Sequence, residues 1–94
     1  MSEFRTMAEV RKANASSSQP YWFEAGTRRF FSSRIGRTLY GGRYFITSET
    51  PDWDTPRRYS VREVMPDATI ETVGKFRAHG TSREARNAIR ALLA

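Results

Sequence analysis

The sequence predicts a small α+β domain, with a three- to four-stranded antiparallel meander flanked by an N-terminal and a C-terminal helix in the order α-β-β-β-β-α. Three observations carry this expectation. Capping boxes stand near both ends, Thr6-Met7-Ala8-Glu9 and Thr81-Ser82-Arg83-Glu84. The chain between them is rich in aromatic and β-branched residues punctuated by glycine and proline. Every link between candidate strands is short, which leaves consecutive strands antiparallel. Ninety-four residues, 38% of them hydrophobic and 13% aromatic, make one cored domain spanning 1–94 rather than two.

The first helix is expected over Met7–Asn14, with Met7, Val10 and Ala13 on its buried stripe and Arg11 and Lys12 outward. Residues 15–20, ASSSQP, form a connector, because Pro20 and three serines do not continue a helix. After a bend at Glu24-Ala25-Gly26-Thr27, a first strand runs from Phe30 to Ile35. The turn Gly41-Gly42 leads into a second, Arg43 to Glu49. The loop TPDWDTP separates this from a third strand, Arg57 to Val64, and Met65-Pro66-Asp67-Ala68 turns the chain into a fourth, Ile70 to Arg77. Gly74 interrupts that last alternation and suggests a bulge. In the closing helix Ala85, Ala88, Ile89 and Leu92 share a face, with Arg83, Arg86 and Arg90 opposite. Tyr44, Ile46, Tyr59, Val61 and Ile70 are the candidates for the sheet surface beneath it. Most of Tyr21-Trp22-Phe23 and Phe30-Phe31 belongs to the core.

Charge is the strongest compositional signal. Sixteen Lys and Arg against ten Asp and Glu give +6, and all the cations except Lys12 and Lys75 are arginine. The guanidinium fork suits phosphate, guanine edges and carboxylates, although a GC-rich genome produces the same bias. Without cysteine there is no disulfide framework, thiolate metal site or thiol nucleophile. No apolar run reaches the ~18 residues of a membrane span, so a cytoplasmic protein with no membrane association is expected.

Catalysis has little support. His79 is the sole histidine, read as an exposed turn residue, and no serine stands in a GxSxG frame. Glu49, Asp52 and Asp54 could be imagined holding magnesium, but Pro51 and Pro56 make their segment a bent, solvated loop. Neither a catalytic residue, a metal nor a cofactor is therefore expected. Basic residues on strands are the stronger pattern. Alternation puts Arg58, Ser60 and Arg62 on one sheet face, with Tyr59 and Val61 on the other. Arg43 and Phe45, with Lys75 and Arg77, extend that face opposite the helix. Arg43, Arg58, Arg62, Lys75 and Arg77 are thus the candidate nucleic-acid contacts, and Arg83, Arg86 and Arg90 form a possible secondary basic stripe. The alternative is a solvated face whose arginines pair across strands with Glu49, Glu63 and Glu71. Trp53, in its proline-bounded loop, is either a partner anchor or a seal for a core edge.

The tract RRFFSSRI, GGRYFITSE, RRYSVR and TIETVGKFRAHGTSREARNAI resembles a small family of uncharacterised proteins encoded by bacteriophages, prophages and plasmids, over roughly residues 21–90. The resemblance implies an origin in a mobile element and assigns no functional residue. Three strands followed by GKFRAHGTSREARNAI are also similar to the arm-type DNA-binding domains of phage integrases and the plant AP2 domain, and with the first helix the order resembles a double-stranded-RNA-binding domain. The paired basic residues that open the last helix of that RNA-binding family are here Arg83 and Glu84. The expected function is a non-enzymatic nucleic-acid-binding module of a mobile element, with duplex DNA the favoured partner and no known oligomeric state. The alternative is a phage- or plasmid-encoded inhibitor of a host defence or regulatory protein, one that itself handles nucleic acid.

Overall fold

A computed structural model describes residues 4–26, 34–50 and 56–94. Helix α1 spans Met7–Asn14, strands β1, β2, β3 and β4 span Arg34–Ile35, Tyr44–Glu49, Arg58–Val64 and Ile70–Val73, and helix α2 spans Ser82–Leu93. The sheet is an antiparallel meander in the order β1-β2-β3-β4. The α+β arrangement therefore matches the sequence expectation. Both helix starts follow from their caps: Thr6 Oγ1 accepts from Glu9 N at 3.2 Å, and Thr81 Oγ1 accepts from Glu84 N at 3.1 Å. Glu84 returns the bond through Gly80 N, 3.0 Å away.

Strand alternation distributes the core over both faces of the sheet. On one face Phe45, Val64 and Ile70 meet Met7 and Val10 of α1, with Trp22, Phe23, Ile35 and Leu39 packed around them. On the other, Tyr44 and Val61 lie against Ala85 and Ile89 of α2, with Ile46, Tyr59, Val73 and Ala88 at the margin. Small residues on α2 let the helix approach the sheet closely. Ile70 was expected beneath α2; its pairing with Val64 puts it on the α1 face, and Val73, of opposite parity, takes the position under α2. Leu92, expected on the buried stripe, is exposed, because the stripe runs past the edge of the contact after Ile89.

Turn chemistry sets the register. Gly41 and Gly42 both adopt positive φ, 59° and 70°, as a tight primed-type hairpin turn requires. Gly36 has a different constraint: a Cβ there would stand 2.8 Å from the carbonyl oxygen of Ile46, to which Gly36 N donates at 2.7 Å. In the β3–β4 turn, Ala68 is left-handed, and its carbonyl accepts from the buried Asn14 side chain at 2.9 Å. That bond ties the end of α1 to the turn. Asp67 Oδ1 accepts from both the hydroxyl and the backbone N–H of Thr69, which lowers its pKa. The carboxylate's contribution to this turn is thus in place above the unfolded-state pKa and is lost as pH falls through the depressed folded value.

Strand β4 is shorter than the expected Ile70–Arg77. Val73 pairs with Val61, and the next pairing with β3 is the bridge between His79 and Tyr59. Ser60 therefore stands opposite the five residues Gly74 to Ala78. This is the bulge that Gly74 suggested, entered at a glycine φ of 72°. His79 is a partly buried bridge residue here, not an exposed turn residue. Of the expected first strand, Phe30–Ser33 lies outside the described residues, as does Trp53 with its loop neighbours 51–55.

Phe45 is fully buried, and its ring lies 5.8 Å from Trp22 and 6.0 Å from Phe23. Phe45→Ala should therefore destabilise the protein by about 3–5 kcal/mol through a cavity its neighbours cannot fill. Urea unfolding of the two proteins measures this, and a loss below about 1 kcal/mol would contradict the packing described.

Candidate nucleic-acid interface

The face predicted to present Arg58, Ser60 and Arg62 to solvent is largely covered. Glu49 and Ser60 are 0% exposed, Thr47 is buried, and the Arg62 side chain is only 13% exposed. Phe45, expected on the same open face, is in the core. The period-two reading placed these side chains on a common face correctly. What it could not reveal is that α1, the Trp22-Phe23 segment and the bulge all pack on that face.

The covered region is a polar network. Ser60 Oγ donates to Glu49 Oε1 at 3.1 Å and accepts from Arg77 N at 2.8 Å. Arg58 donates through Nε to Arg77 O and through its terminal nitrogen to Ala78 O, at 3.2 and 3.1 Å. These bonds pin the bulge across the end of the sheet. Arg62 donates through Nε to Thr47 Oγ1 at 2.9 Å and through a terminal nitrogen to Thr72 Oγ1, while its other nitrogen stands 3.8 Å from Glu49 Oε2. Burial pushes the Arg62 pKa down; Glu49 opposes that shift and Arg77 adds to it.

Above this network is a stack of alternating cations and rings. The Arg62 guanidinium lies 5.4 Å from the Trp22 ring and 5.0 Å from the Phe76 ring, and Arg77 lies 4.6 Å from Phe76. Phe76 is 45% exposed despite the two guanidinium groups against it. Its chain neighbour Lys75 is exposed as well. Trp22 and Phe76 were missed as site residues. The signal that could have found Phe76 is the run Gly74-Lys75-Phe76-Arg77, in which a glycine bulge lifts an aromatic flanked by cations.

The five candidate contacts therefore separate. Lys75 and Arg77 lie on the bulge, Arg58 and Arg62 support it from beneath, and Arg43 lies in the turn before β2. Arg43 pairs with Glu63 across the strands and stacks on Tyr44 at 5.3 Å; the ion pair raises its pKa. Cross-strand pairing was the alternative reading of these arginines, and it is realised at Arg43–Glu63 and Arg62–Glu49, whereas Glu71 stands opposite Glu63. Arg83, Arg86 and Arg90 are all exposed on α2, but Arg86 borders the sheet beside Tyr40 and Tyr59 rather than lying wholly opposite it. Glu49 serves Ser60 and Arg62 inside the fold; Asp52 and Asp54, the other members of the carboxylate trio, lie outside the described residues.

The chain belongs to the family of unknown function DUF7447, which it matches over residues 6–90, from the N-cap of α1 to the last turns of α2. No curated protein and no solved structure matches it. Among the described residues, no helix is long and apolar enough to cross a membrane.

The burial of Arg62 reverses what its sequence position implies for stability. Arg62→Ala leaves the Glu49 carboxylate inside the fold without its counter-charge, which should destabilise the protein by about 3 kcal/mol. The double replacement Glu49→Gln with Arg62→Met should recover part of that loss. Denaturant titrations of the single and double variants test the pair, and a single-variant loss under about 0.5 kcal/mol would make it an ordinary surface contact.

Proposed function

We propose that this member of DUF7447 is a nucleic-acid-binding module without catalytic activity, acting inside the cell, and that the bulge Gly74–Ala78 is its principal contact. The supporting observation is the exposed Phe76 ring, backed by Arg62 and Arg77 and flanked by Lys75. A ring held this way offers a stacking or wedging surface to a base, and Lys75 and Arg77 supply charge for adjacent phosphates. Arg58 and Arg62 act as positioning residues, because their bonds go to the bulge backbone, Thr47 and Thr72. The formal charge of +6 favours encounter with a polyanion. The motif resemblance to phage and plasmid proteins supports a role in a mobile element.

The same ring between cations would also anchor on an acidic protein surface, as the inhibitor reading requires. A pull-down from nuclease-treated host lysate separates the two: a stoichiometric protein partner that survives digestion favours the inhibitor.

Fluorescence anisotropy with a labelled mixed-sequence DNA duplex and its separate strands tests the primary reading. Micromolar binding is expected, falling roughly fortyfold between 50 and 200 mM salt if about three phosphates are contacted. Lys75→Ala and Phe76→Ala should each weaken binding several-fold with little change in melting temperature. Absence of binding to any of these nucleic acids at 50 mM salt would overturn the proposal.

A further inference from the structure

A second basic surface lies on the opposite side of the sheet, where β1, the segment after it and the start of α2 enclose a groove of about 240 Å³. Three arginines, Arg34, Arg37 and Arg86, line it together with Tyr40, Tyr59 and Ser82. Each arginine arrives by a separate route. Arg34 pairs with Ser48 on β2, which puts it on the α2 face, since its neighbour Ile35 packs into the α1 core. Arg37 follows Gly36, whose lack of a side chain lets the backbone close onto Ile46. Arg86 donates to Ser82 Oγ at 3.2 Å and so lies back along the helix toward the groove.

Among the described residues, none of these three arginines has a carboxylate within ion-pair distance. Three like-charged residues bordering one concavity without an ion pair favour a multivalent anion there, because it lowers their mutual repulsion. The first turn of α2 does not supply the anion site, because its capping box already uses Thr81 and Glu84. The donors are side chains: planar forks suited to tetrahedral oxyanions, beside hydroxyls and tyrosine rings. The groove is below the roughly 300–1,000 Å³ of drug-sized pockets, which limits it to a small ligand or to one end of a larger one.

We propose that this groove binds a small phosphomonoester, with Arg34, Arg37 and Arg86 around the phosphoryl group and Tyr40 and Tyr59 against the organic part. The site is separate from the bulge, so the inference does not depend on the nucleic-acid reading.

Isothermal titration of the full chain with AMP, adenosine and inorganic sulfate tests it. The expected result is one AMP per chain with submillimolar affinity, no heat from adenosine, and sulfate at least tenfold weaker. Arg37→Gln with Arg86→Gln, both at exposed positions, should weaken AMP at least tenfold while melting stays unchanged, and Phe76→Ala should leave AMP binding intact. No saturable AMP binding at millimolar concentration, equal binding of adenosine or sulfate, or full binding by the double arginine variant would each overturn the proposal. A 5′-phosphorylated oligonucleotide that competes with AMP, where its 5′-hydroxyl form does not, would identify a strand end as the source of the phosphate; failure of both to compete would identify a free metabolite. AMP binding without any oligonucleotide binding would sink the nucleic-acid reading and leave this site standing, and the converse result would do the opposite.

Discussion

The architecture turns on a carboxylate held out of water. Glu49 ends β2 with no exposed surface, and an ionised side chain there requires both a counter-charge and hydrogen-bond donors. Ser60 and Arg62, both on the adjacent strand, answer it from the same face: Ser60 donates to Oε1, and Arg62 supplies the counter-charge 3.8 Å from Oε2, which accepts no hydrogen bond among the described residues. Ser60 in turn accepts the backbone N–H of Arg77, so the need to satisfy one buried acid extends into the position of the bulge. Arg58 completes the attachment by holding two bulge carbonyls. The exposed ring of Phe76 is thus fixed by a chain of polar contacts that begins in the interior, and the bulge inherits its geometry from the core.

This polar region also explains why the two faces of a small sheet are covered so differently. On the α1 face, the apolar half packs Phe45, Val64 and Ile70 against Met7 and Val10, while the rest is a hydrogen-bonded network. On the α2 face, alanines and Ile89 sit directly on Tyr44 and Val61. A chain of 94 residues has little apolar surface to spare, and four strands with two covered faces need more than it carries. Arginine, threonine and serine fill the difference through the hydrogen bonds of Arg62, Thr47, Thr72 and Ser60, leaving Glu49 Oε2 and Arg77 Nε buried without a hydrogen bond among the described residues.

Several of the basic residues consequently fall into two groups. Arg58 and Arg62 act within the molecule, on backbone carbonyls, hydroxyls and a carboxylate, and Arg43 is partly neutralised by Glu63. Lys75 stands out on the bulge, and Arg34, Arg37 and Arg86 border a concavity. Net charge counts both groups alike, but among these described residues the second carries no ion pair. The net charge of +6 therefore overstates how much of this charge stands free at the surface.

Local chemistry was legible in the sequence. Thr6 with Glu9 and Thr81 with Glu84 mark helix starts, Gly41-Gly42 marks a hairpin, Gly74 marks a bulge, and alternation places Arg58, Ser60 and Arg62 on one face, because each depends on neighbours within a few residues. The sequence by itself determined the α+β order, the meander and, within β3, which residues share a side; it did not assign Ile70 of β4 to the α1 face. Tertiary structure decided which side meets water. Whether Arg62 is a surface contact or a buried counter-ion depends on Glu49, thirteen positions away in the sequence and 3.8 Å away in space, and on α1 and Trp22 packing over the same face. Likewise, Arg34, Arg37 and Arg86 carry no common motif; they line one groove only because β1 pairs with β2 and α2 lies on that face, and such long-range placement leaves no periodic trace in the chain.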